Sequence, residues 1–68
     1  MTERIPLGRI ACRGVDDDEA TILVYRVGTQ ISLVATAQKG GDAEVLLDAD
    51  QVKSLAEDLL KSVNETER

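Results

Sequence analysis

The densest set of oxygen ligands in the chain is the acidic run Asp16-Asp17-Asp18-Glu19. Oxygens of that kind suit a hard cation such as calcium. A calcium loop, however, alternates its ligands around a central glycine and ends on a distal glutamate, and that spacing is absent here. The run therefore reads as a solvated hairpin loop. A second group is Tyr25 with Arg9, Arg13 and Arg26. One ring for stacking and several guanidinium groups for phosphates are the parts of a platform for single-stranded nucleic acid. Cys12 is the one cysteine. With no base beside it in the sequence, it reads as a small buried residue rather than a nucleophile.

The chain has no histidine. That removes imidazole general bases, histidine-based triads and histidine metal ligands. A single cysteine cannot build a thiolate zinc site. Ser32, Ser54 and Ser62 lie in no nucleophile elbow, and Lys39-Gly40-Gly41 is too short to cradle a phosphate. The expectation is a non-enzymatic protein with no cofactor, no metal and no small-molecule substrate, acting by binding another macromolecule.

The elements that would carry these residues are organised around Leu47–Val63. Asp48 is placed to cap a helix, and Gln51 three residues on completes a capping box. Leu47 and Val52 have the spacing of a hydrophobic staple. Val52, Leu55, Ala56, Leu59, Leu60 and Val63 then form one apolar stripe at helical spacing. The outer face carries Glu57 and Lys61 in the favourable order for an ion pair worth about 0.2–0.5 kcal/mol.

Four strands precede the helix. Ile5–Arg13 changes the parity of its apolar residues at Gly8, so a bulge or bend there would bring both pairs, Ile5 with Leu7 and Ile10 with Cys12, to one face. Pro6 marks that strand as an edge. Gly14–Ala20 is a loop, followed by strands at Thr21–Val27 and Gln30–Ala37. The Gly28-Thr29 link suits a type II′ turn. That register sets Val24 opposite Leu33 and Ile22 opposite Ala35 on the helix face. It sets Leu23 opposite Val34 and Tyr25 opposite Ser32 on the far face. Gln38–Asp42 is a turn and Glu44–Leu47 a short last strand, with Leu46 beside Val34. The expected fold is α+β: a four-stranded antiparallel meander (β-β-β-β-α) with one C-terminal helix packed on one face, a single domain over 1–68 with mobile ends at 1–4 and 64–68.

With 68 residues and Tyr25 as the sole aromatic ring, the core is small. Lone cores of this size supply only about 3–5 kcal/mol, and small domains add a staple. No disulfide can form within the chain, so a homodimer is the expected staple. The far sheet face, with Leu23, Tyr25, Val34 and Leu46, is the expected dimer or partner contact. Thirteen acids against eight bases give a net charge of -5, which disfavours nucleic acid. The alternative reading nonetheless keeps a single-stranded nucleic-acid binder using Arg9, Arg13, Arg26 and Tyr25. A third is an acidic inhibitor docking Asp16–Glu19, with the acidic helix face, on a basic protein. No apolar run reaches membrane-spanning length and the start is polar, so no membrane association and a cytoplasmic location are expected.

The strand and helix order resembles the transcriptional coactivator fold of the PC-four type. That resemblance implies a dimer that binds single-stranded DNA on its sheet, although the family's basic, aromatic-rich strands are not reproduced here. The run EVLLDADQVKSLAEDLL looks like the strand-to-helix ending of small uncharacterised proteins of actinobacteria and their phages. That resemblance implies the β-meander with its C-terminal helix and no activity.

Overall fold

The structure, a computed structural model, describes residues 3–66. Four strands, β1 (Arg4–Arg13), β2 (Glu19–Val27), β3 (Gln30–Ala37) and β4 (Gly41–Leu47), are followed by one helix, α1 (Ala49–Thr66). The strands pair antiparallel in the order β1-β2-β3-β4, the meander that short hairpin links dictate. The fold is the expected α+β arrangement.

β1 is an edge strand, as Pro6 requires. Its register with β2 shifts between Pro6 and Gly8: Pro6 stands opposite Tyr25 and Gly8 opposite Val24, leaving Leu7 as the extra residue. The bulge puts Ile5, Ile10 and Cys12 on one face, but Leu7, expected to join them, is the bulged residue and is exposed. The β2–β3 register is the one read from the sequence, with Val24 opposite Leu33 and Tyr25 opposite Ser32. At their link, Gly28 has φ 64° and Thr29 is not left-handed, the pattern of a type II′ turn. One detail of β4 differs. Leu46 stands opposite Ser32, and Glu44 is the direct neighbour of Val34. Pairing of β4 also starts earlier than expected, at Gly41, whose φ of 80° closes the preceding turn.

The capping box is formed. Asp48 N–H donates to Gln51 Oε1 at 2.9 Å, and Gln51 N–H donates to Asp48 Oδ1 at 2.8 Å. The helix continues past Val63 to Thr66, whose hydroxyl donates to the Val63 carbonyl. Of the ends expected to be mobile, Arg4 lies in β1 and 64–66 in α1; Met1, Thr2, Glu67 and Arg68 lie outside the described residues. No Glu57–Lys61 pair forms: the ion pairs among the described residues are Arg4–Glu44 and Arg13–Asp17.

The larger difference is in packing. The helix approaches β3 and β4 closely at its start and then leaves the sheet. Val52 is half-buried, Leu55 is 38% exposed, Leu59 58% and Leu60 66%. Among the described residues no hydrophobic side chain is fully buried. The radius of gyration is 13.5 Å, against about 11 Å for a compact chain of this length. Cys12, expected in the core, is exposed because nothing reaches that end of the helix face.

Candidate functional site

The two faces of the sheet differ in how complete they are. On the far face, register places Arg4, Arg9 and Arg13 of β1 beside Leu23 and Tyr25 of β2, Ser32 and Val34 of β3, and Glu44 and Leu46 of β4. A polar network closes the middle. Arg4 reaches Glu44 at 2.5 Å, the Ser32 hydroxyl donates to the same carboxylate, and the Arg4 guanidinium sits 5.5 Å from the Tyr25 ring centroid. Ser32 is fully buried beneath it. First the Ser32 hydrogen bond and then that of Arg4 hold the Glu44 carboxyl below the usual glutamate range.

β1 and β4 are separated by three strand spacings of about 4.8 Å. The Arg4–Glu44 contact nonetheless spans them, over a shallow depression on this side. Leu23, Tyr25 and Val34 line the depression half-buried, and Leu46 lies exposed at its edge. The expected contact residues are thus brought to one face, but around a self-satisfied polar cluster instead of a flat apolar patch. Arg26 is not among them. It pairs with Ile5 and Ile31 and so stands on the opposite face, apart from Tyr25, Arg9 and Arg13.

The acidic run is partly internal structure. Asp18 is 6% exposed and its Oδ2 accepts the Lys39 backbone N–H at 2.6 Å, tying the β1–β2 loop to the β3–β4 turn. Asp17, at φ 59°, accepts a bond from Arg13 at 2.9 Å. Only Asp16 and Glu19 of the four remain exposed and unpaired among the described residues. No group of three or more metal-ligating side chains occurs among those residues.

The helix side is where apolar surface collects. Between the sheet and the departing helix lies a cleft of about 400 Å³. Its floor is Ile10, Ile22, Val24 and Leu33; its roof is Leu55, Ala56 and Leu59. The cleft exists because α1 diverges from the sheet instead of lying along it. Arg4, Ser32 and Glu44, which organise the far face, escaped notice in the sequence. Their one readable signal was parity: Glu44 shares a face with Leu46, as Ser32 does with Tyr25. No helix among the described residues is long and apolar enough to cross a membrane. Compared with protein-family models, curated proteins and solved structures, the chain matches none.

Proposed function

We propose that this chain is a non-enzymatic binding protein that works through protein–protein contacts, with self-association as the first of them. The observation that carries this reading is the open apolar cleft in a chain with no fully buried hydrophobic side chain among its described residues. Exposed aliphatic surface of this extent is what protein interfaces cover. The contact surface is the helix side rather than the far face around Leu23, Tyr25, Val34 and Leu46.

The competing readings have less support. A nucleic-acid platform needs an available ring and unopposed cations. Here Arg4 covers the Tyr25 ring, and Glu19, Asp42 and Glu44 share that face with its arginines. An acidic inhibitor would lose Asp18 to the Lys39 contact and Asp17 to Arg13.

The test is native mass by light scattering at micromolar and ten-fold lower concentration, alongside titration with a labelled single-stranded oligonucleotide. A dimer with no oligonucleotide binding supports the reading. A monomer that binds the oligonucleotide with steep salt dependence would overturn it.

A further inference from the structure

We infer that the cleft is closed by a second copy of this chain, the C-terminal half of α1 in each copy covering the Ile10–Ile22 surface of the other. This rests on the protein-contact reading above and gives it a partner and a geometry.

The first argument is area. The chain exposes 5652 Å², whereas a compact monomer of its size exposes about 4,200 Å². The excess is about 1,400 Å² per chain by that scaling. A standard stable interface needs about 800 Å² from each partner, and obligate dimers use more. One chain therefore carries surplus surface of the amount that a closely joined dimer removes.

The second argument is self-complementarity. A two-fold contact requires one molecule to present both halves of the match. This chain does. Leu60 and Val63, with Leu59 at the rim of the cleft, form an apolar helix ridge that its own sheet leaves largely exposed. Ile10, 56% exposed on the cleft floor, and the neighbouring Cys12 form an apolar sheet region that its own helix leaves largely uncovered. A two-fold axis brings ridge to region twice. The union would also bury Cys12, as its place on the helix face demands.

The third argument is that the alternative face is already satisfied. On the far side Ser32, Glu44, Arg4 and Tyr25 partner one another. Stacking two such faces would bury the Arg4–Glu44 pair at a desolvation cost that an aliphatic ridge avoids.

The test uses the full chain. Labelled (¹³C) and unlabelled protein are unfolded together, refolded, and examined for isotope-filtered NOEs between chains. Methyl contacts from Leu59, Leu60 or Val63 of one chain to Ile10 or Ile22 of the other are expected. Leu60→Asp is expected to weaken the dimer at least ten-fold, while Leu46→Asp leaves the mass unchanged. Leu60 is mostly exposed within one chain, so its substitution does not threaten the monomer's fold; if it did, the NOE measurement still decides. A dimer whose contacts involve Leu23, Val34 or Leu46 would overturn this geometry while leaving the protein-contact reading intact. A monomer at every concentration would overturn both.

Discussion

Arg4 and Glu44 meet at 2.5 Å although they belong to the first and last strands of the sheet. The contact crosses over Tyr25 on β2 and Ser32 on β3, so one cluster touches all four strands. Backbone pairing alone ties each strand only to its neighbour. This cluster ties the two edge strands together across the far face. That face is filled by its own polar groups, whereas exposed apolar side chains collect on the helix side.

That cluster should be visible in a titration. Hydrogen bonds from Ser32 and then Arg4 hold the folded Glu44 pKa below its unfolded value. The stabilisation is therefore fully present above the unfolded value, about 4.3, and is lost as pH falls from there through the lower folded value. Side-chain carboxyl NMR should show Glu44 titrating below the other glutamates. Ser32→Ala and Arg4→Met should each return it toward the ordinary value. A wild-type Glu44 that titrates with the exposed glutamates would mean that the cluster does not persist in solution.

The two hairpin ends at the opposite edge should behave as one unit. Asp18 Oδ2 accepts the Lys39 N–H, and Asp18 Oδ1 lies 2.2 Å from where a side chain at Gly14 would begin. Asp18→Ala leaves a part-buried donor unpaired, at about 1–3 kcal/mol. Gly14→Ala must displace the same carboxylate, so the double variant should cost less than the sum of the two. Urea unfolding at fixed protein concentration measures all three. Strict additivity would show that Gly14 and Asp18 are not coupled.

Local order was largely legible in the sequence, and tertiary reach was not. The Asp48–Gln51 box, the Gly28-Thr29 turn, the parity break at Gly8 and the β2–β3 register all depend on residues within a few positions or on a period of two. Each could be read from side-chain type. The far-face residues Leu23, Tyr25 and Val34 were placed correctly by the same period. What escaped was anything that depends on the path of an element through space. The apolar stripe of α1 says which face seeks burial but not the angle at which the helix leaves Leu47. Cys12 was therefore expected to be buried and is exposed. Likewise, nothing local in Arg4 says that it will reach Glu44 on the opposite edge strand. Asp18 looked like one of four equivalent loop acids because its partner is a backbone N–H, which sequence does not mark.

The helix start offers a sharper test because its two bonds are reciprocal. Asp48→Ala should cost about 1 kcal/mol, the usual loss for an N-cap. Hydrogen exchange at the Gln51 amide should quicken, since that N–H donates directly to Asp48. Gln51→Ala should instead release the Asp48 amide and cost less, because the cap itself remains. Because Val52 is the one half-buried residue of α1 among those described, fraying here should also weaken the proposed self-association. Unchanged exchange at both amides would show that the box is not formed in solution.

The bulge in β1 can be tested by deletion. Leu7 is the one residue of β1 without a counterpart on β2, and it is 55% exposed. Removing it joins Pro6, opposite Tyr25, directly to Gly8, opposite Val24, and the ladder continues without a change of face. Ile5 and Ile10 both stay toward the helix side. Removing Ala11 has the same effect on length but the opposite effect on pattern. Whichever flank moves to fill the gap, either Ile10 or Cys12 turns to the far face, because a shift of one residue inverts every side chain it carries. The Leu7 deletion is therefore expected to keep the wild-type amide spectrum of β2 and β3 and most of the stability. The Ala11 deletion should lose clearly more in thermal unfolding at the same concentration and, on the proposed dimer geometry, should weaken association through Ile10. Equal losses from the two deletions would mean that β1 is not held in this register, and that its apolar residues contribute to no defined surface.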